Sequence, residues 1–309
     1  MRISNSITYN DFLRNLGTNA SKVQSTLNQL SSLKEVSKSS DNPLLVSKIM
    51  DLNVSLNQNK TYNNTIKDSI SWTKAQDSAL ESVSTSMLRI RSLVQSSANA
   101  TAGSEELGAN RSEIEQEIEG IVESLNTNFD GRYLFSGTNT TTAPFEIVKE
   151  NDAIVGIKYN GTSEDLPREI ANGVSVDLLA SGDRLMNETG TATDPQNLST
   201  YFNDLLSALR SDDKDALGGE LLTAHDQHAT NVVNVRAQIG TLYNRLEAAA
   251  DRNETEKLNL TETLSNKQDV DIAEKYMNLF QFFWCHIRTF RINDFHSFDM
   301  VTHSSTKGG

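Results

Sequence analysis

Val235-Arg236-Ala237-Gln238-Ile239-Gly240-Thr241-Leu242-Tyr243-Asn244-Arg245-Leu246-Glu247 carries the pattern that decides the fold. Val235, Ile239, Leu242 and Leu246, with Ala249 beyond them, recur at alternating steps of four and three residues. That period winds one apolar stripe along a helix, and the stripe can be buried only against another helix. The same alternation occurs near the other end of the chain, at Tyr9, Leu13, Leu16, Ala20, Val23, Leu27 and Leu30. Two such arms predict terminal segments that pair while the middle is looped out. The fold expected is mainly α with a β insert. An elongated antiparallel coiled coil or bundle is formed by the N- and C-terminal segments, and a small antiparallel β domain sits in the middle.

Working inward, the four prolines (Pro43, Pro144, Pro167 and Pro195) punctuate the chain. Helix interiors exclude proline, which lacks the amide proton and clashes with the preceding turn. Between Pro43 and Gly103 lie 59 residues with neither proline nor glycine. This stretch opens with Ser40-Asp41-Asn42-Pro43, a cap followed by proline in the first turn. Leu45, Ile49, Leu52, Leu56, Ile66 and Ile70 form its seam, continued by Leu80, Val83, Met87, Ile90 and Val94. At full length such a helix would approach about 90 Å. Asn59 and Asn63 fall on the seam, as buried amides that fix register or as a local kink or solvated gap. A third helix carries Ile114, Ile118, Ile121 and Leu125 on one face, and Glu113, Glu115, Glu117, Glu119 and Glu123 read as its solvated side.

The character changes at Gly131, because seven of the sixteen glycines lie between it and Gly190. Phe145–Val148 and Ala153–Tyr159 read as strands around a Glu150-Asn151-Asp152 turn, and Val174–Leu178 alternates apolar and polar residues. Helical spacing resumes at Leu198, Phe202, Leu205 and Leu209, and a last helix is expected from about Lys214 toward Met277.

Composition narrows the function. A net charge of −13 would repel nucleic acid and anionic membranes, so neither is an expected partner. No run of about eighteen apolar residues predicts membrane insertion, and Met1-Arg2-Ile3-Ser4-Asn5-Ser6 lacks the apolar stretch of a cleavable signal peptide. The one cysteine, Cys285, excludes an intramolecular disulfide and a cysteine-based metal site. His225 and His228, three apart on a helix, could touch one metal, but no third ligand stands out. No nucleophile elbow, phosphate loop or zinc signature occurs. The expectation is no enzyme, with no catalytic residue, cofactor or metal.

Three stretches resemble the flagellin superfamily and, within it, the hook–filament junction proteins of hook-associated protein 3 type. They are the opening Met1-Arg2-Ile3-Ser4 with the first seam, then Asn128-Phe129-Asp130-Gly131-Arg132-Tyr133-Leu134-Phe135-Ser136-Gly137-Thr138, and Val235–Glu247. The resemblance implies a structural subunit that joins hook to filament. It would be made in the cytoplasm, exported by the flagellar type III apparatus without a cleaved signal peptide, and act outside the cell. Expected partners are hook and hook-associated proteins, flagellin, copies of itself and an export chaperone. Assembly would run through Leu13, Leu16, Val23, Leu27, Leu30, Val235, Ile239, Leu242 and Leu246. Arg132, Phe135, Arg236, Asn244 and Arg245 carry over from the family motifs as packing or intersubunit residues. The boundaries expected are an N-terminal arm at 1–40, a first helical rod part at 41–140 and a β-rich insert at 141–192. A second rod part at 193–254, a C-terminal arm at 255–278 and a divergent tail at 279–309 follow.

That tail departs from the family. Seven of the chain's twenty aromatics, three of its five histidines and its one cysteine lie within or beside Phe280–Phe298. No heptad survives there, and the segment reads as the product of a reading-frame shift or sequence error near codon 278; the alternative is a real, divergent tail, and re-reading the 3′ end of the gene decides between them. Two other functions fit the helical pattern: a flagellin that builds the filament itself, and a coiled-coil adaptor unrelated to flagella.

Overall fold

A computed structural model of the protein describes residues 2–36, 38–99, 103–150, 153–186, 197–285 and 287. Most of the divergent tail, and so most of the frame-shift reading, lies outside them. The chain divides into two compact units, Met1–Gln58 with Glu256–Gly309, and Asn59–Thr255.

The second unit holds the main core. Its longest elements are α2 (Pro43–Ser97) from Asn59 onward and α7 (Glu220–Gln268) up to Thr255, with α3 (Ser104–Leu125) between them in sequence. At the start of α2, Pro43 occupies the first position, and the Asn42 side chain accepts from the Leu45 amide at 3.1 Å. The helices α2 and α7 run antiparallel, since Asn63 meets Asn253, Asp77 meets Arg236 and Met87 meets His225. Leu80, Ile90 and Val94 of α2, Ile114, Ile118 and Ile121 of α3, and Ile239 and Leu246 of α7 are at most 1% exposed and share one core.

The strands form three separate antiparallel hairpins: β1 (Asn128–Phe129) with β2 (Arg132–Tyr133), β3 (Phe145–Glu150) with β4 (Ala153–Tyr159), and β5 (Leu166–Ala171) with β6 (Val174–Leu178). β5 contains Pro167, which hid it in the sequence. A proline is tolerated there because a two-stranded sheet has only edges. These hairpins have no core of their own: Phe145, Ile154, Ile157, Ile170 and Val176 belong to the cluster that the helices bury. After α4 (Asp183–Met186), α5 (Leu198–Ser211) lies against β4 and α3, and its Phe202, Leu205 and Leu206 are fully buried.

The expected last helix is interrupted twice. The short α6 (Lys214–Gly218) ends where Gly219 takes a non-helical conformation, φ −108° and ψ −97°, before α7 starts. At the far end, Asp269 bridges to Lys34, the Gln268 carbonyl accepts from the Glu35 amide at 2.8 Å, and helix resumes over 272–285. A backbone that pairs sideways at this point cannot continue the helical ladder.

The first unit is therefore α1 (Arg2–Ser32) with the early part of α2, the end of α7 and the helical stretch 272–285. Leu33 closes α1 at φ +55°. Lys275 pairs with Glu35 at 2.8 Å, and the Lys22 ammonium lies 5.6 Å from the Phe282 ring centre. No helix among the described residues is long and apolar enough to cross a membrane.

Candidate assembly surfaces

The motif Asn128–Thr138 folds as a tight hairpin and its exit. Asp130 and Gly131 have φ of +52° and +78°, the pair of left-handed residues that a type I′ turn requires. Beyond the hairpin, Leu134, Phe135, Ser136 and Gly137 are all buried. Gly137 has φ +70°, and a Cβ there would stand 2.2 Å from the Thr162 hydroxyl oxygen, so no other residue fits without moving the β4–β5 connection. Gln76 of α2, fully buried, donates to the carbonyls of Leu134 at 3.1 Å and Leu179 at 2.8 Å. Asn126 mimics a strand by pairing with both backbone groups of Phe145, at 2.8 and 3.0 Å. Neither amide stands out in the sequence, because one polar residue in a helical pattern carries no sign of which distant carbonyl it will meet. Of the motif residues named from the sequence, Phe135 packs in the core, while Arg132 is exposed.

Along α7, Val235, Ile239, Leu242 and Leu246 are 7, 1, 8 and 0% exposed. They seal the second unit. Within that unit the seam lies with α2 in one core, while the N-terminal stripe belongs to the first unit. Arg236 reinforces the pairing, with Nε 3.0 Å from Asp77 and Nη2 4.0 Å from Glu81. Hydrogen bonding to Asp77 holds the guanidinium above its ordinary pKa. Asn244 and Arg245 are exposed.

His225 and His228 are buried within this unit. The His225 Nδ1 lies 2.8 Å from the Tyr201 hydroxyl and its Nε2 2.9 Å from the Met87 carbonyl. The carbonyl can only accept, so Nε2 carries the proton and Nδ1 accepts from Tyr201. Burial lowers the His225 pKa and raises that of Tyr201. The two residues tie α2, α5 and α7 together. The acidic face of α3 is more engaged than its sequence suggested: Glu113 pairs with Arg89, Glu119 with Lys149, and Glu115 stands near Arg111 and Arg210.

The N-terminal stripe is rotated from its expected position. Leu16, Val23 and Leu30 are half-buried, but Leu13 and Leu27 are 45 and 43% exposed, and Tyr9 is 59% exposed. The inward line runs through Phe12, Leu16, Asn19, Val23, Thr26 and Leu30. Thr26 reaches the inside by bonding its hydroxyl to the Lys22 carbonyl at 3.0 Å. Apolar side chains thus remain outside on α1 and also on 272–285, where Met277, Phe280 and Trp284 are 67, 65 and 72% exposed.

Residues 3–140 match the family model for the bacterial flagellin N-terminal helical region, and residues 222–282 match that for the C-terminal helical region, together well over half of the chain. The chain belongs to the flagellin superfamily. The C-terminal match extends past residue 278 into the first turn of the aromatic tail. Flagellar hook-associated protein 3 of Escherichia coli is 24% identical over 293 residues, covering 88% of this chain and 89% of the relative. A flagellin of Bacillus subtilis is 23% identical over 284 residues, covering 89% of each. Among solved structures, flagellar hook associated protein-3 from Legionella pneumophila shares the fold with a TM-score of 0.60 and 15% identity, covering 71% of this chain and 98% of that one. Within the flagellin superfamily, then, this member keeps the terminal helical regions and a compact set of hairpins between them.

Proposed function

We infer that this chain is a structural subunit of the bacterial flagellum that joins the hook to the filament. The observation that carries the reading is the similarity to hook-associated protein 3 over 88% of this chain and 89% of the relative, with Leu134 and Phe135 at the exit of the β1–β2 hairpin folded into the same core as the helices. In this account the second unit is the stable body, and the first unit supplies apolar helices for contact with hook and hook-associated proteins, flagellin and copies of itself. The subunit leaves the cytoplasm through the flagellar export apparatus, escorted by a chaperone that covers its C-terminal arm. Leu13 and Leu27, exposed on α1, are the assembly residues most open to a neighbour. Arg132, Asn244 and Arg245 are surface residues available to an adjoining subunit.

Deleting the gene tests this. The expected phenotype is cells that build hooks, carry no filaments and release flagellin into the medium, with motility restored by the gene in trans. A deletion strain with normal filaments would overturn the reading. The Bacillus subtilis flagellin similarity favours a second reading, in which the chain builds the filament itself. Flagellin released by the deletion strain argues against it, because a strain lacking its filament protein has none to release.

A further inference from the structure

We propose that Asn172 is a site of self-modification, at which the Gly173 amide nitrogen attacks the Asn172 side-chain carbonyl and Glu169 accepts the amide proton. The inference stands apart from the junction reading. Asn172 and Gly173 form the two-residue tip of the β5–β6 hairpin, between the paired residues Ala171 and Val174. Both are exposed, and the Asn172 side chain makes no hydrogen bond among the described residues. Closing a succinimide ring onto the next amide needs room beside that amide. Gly173 provides it, with no side chain of its own and nothing within 4 Å of where a Cβ would stand.

The contact made by the nucleophile is the deciding one. The Gly173 N–H donates to Glu169 Oε1 at 3.2 Å, within the reach required of a general base. The register of β5 on β6 shifts between Glu169 and Ala171, so Ile170 has no partner on β6. Such a bulge re-aims the side chains beside it, and here it leaves Glu169 facing the hairpin tip. The Tyr62 hydroxyl of α2 donates to the same oxygen at 3.2 Å and holds the carboxylate in place. The chain's other Asn-Gly pair lacks this arrangement. The Asn160 side-chain amide is held by Glu146 Oε2 at 3.1 Å, and among the described residues no carboxylate accepts from the Gly161 amide.

As the new N–C bond forms, the proton on the attacking nitrogen becomes acidic and passes to Glu169. The tetrahedral carbon then expels its amino group, which takes that proton back and leaves as ammonia. Water opens the resulting succinimide at either carbonyl. The product is aspartate at position 172, or isoaspartate, in which the main chain runs through the side-chain carbon. In sum an amide and a water give a carboxylic acid and ammonia, with no oxidant or reductant. Each molecule converts once, and the hairpin tip gains a negative charge.

The test ages purified full-length protein at neutral pH and follows conversion by tryptic mass spectrometry, because the two Asn-Gly pairs fall in separate peptides, 159–168 and 169–184. Asn172 is expected to convert faster than Asn160 and to yield isoaspartate, the mark of the succinimide route. Glu169→Gln, which keeps the shape but cannot carry the proton, is expected to slow conversion of Asn172 at least about tenfold while Asn160 keeps its rate. The Asn160 rate and a circular dichroism melt verify that this exposed substitution leaves the fold intact. No conversion at Asn172, or conversion there no faster than at Asn160, would overturn the proposal. So would a Glu169→Gln protein converting as fast as the wild type or faster, since the Glu169 bond would then restrain the amide instead of activating it.

Discussion

The two units draw on the same two long helices and use them differently. In the second unit the stripe of α7 is sealed, Ile239 and Leu246 being 1 and 0% exposed, and hairpins, α3 and α5 close the remaining sides. In the first unit Leu13 and Leu27 on α1, Leu44 and Met50 on α2 and Phe280 and Trp284 beyond α7 all remain outside. The same heptad chemistry gives a finished core where several elements surround the stripe, and an unfinished one where only helices meet. On the proposed reading, the second unit holds its own core and the first is completed by neighbouring subunits.

Breaking the finished core should have the largest effect. Leu246→Asp places a charge where nothing is exposed, and the loss of stability is expected to exceed about 4 kcal/mol, read as collapse of the cooperative melt by circular dichroism. Gln76→Ala should cost about 1–3 kcal/mol, because the carbonyls of Leu134 and Leu179 lose a buried donor. Acid should act on the same unit. Burial lowers the His225 pKa, so the folded state resists the proton that the unfolded chain takes up. Stability is present above the unfolded value of about 6.5 and falls as the pH drops below it. Melting temperatures measured across that range should decline, and His225→Gln should flatten the decline. The smallest effect on folding is expected from Leu13→Asp or Leu27→Asp, under about 0.5 kcal/mol each, since both side chains already meet solvent. Either change should nevertheless abolish assembly, scored as loss of swimming. A normal melt with lost motility sharpens the contrast between the units, and a normal melt with normal motility removes it.

Much of this fold was legible in the sequence. The proline-free stretch after Pro43 became α2, and Phe145–Val148 and Ala153–Tyr159 became paired strands. The direction of the N-terminal stripe was not legible, for a physical reason. Leu16, Val23 and Leu30 belong equally to two adjacent stripes, and the one that turned inward carries Asn19 and Thr26 where the other has Ala20 and Leu27. Counting apolar residues therefore favoured the wrong side. The seam asparagines show the reverse case. Asn59 and Asn253 are buried, Asn59 donates to the Asn253 carbonyl at 3.1 Å, and Asn63 donates to the Asn253 side chain at 3.0 Å. Of the two roles open to them, register between α2 and α7 is the one they perform. Partner choice was hidden as well, since the α7 seam reads alike whether α1 or α2 lies opposite.

The most direct test of the account is immunogold electron microscopy of the source cells, with antibody raised against the hairpin region at residues 145–178. The account predicts a narrow band of gold where hook meets filament. Gold spread along the filament, or no gold outside the cell, would contradict it.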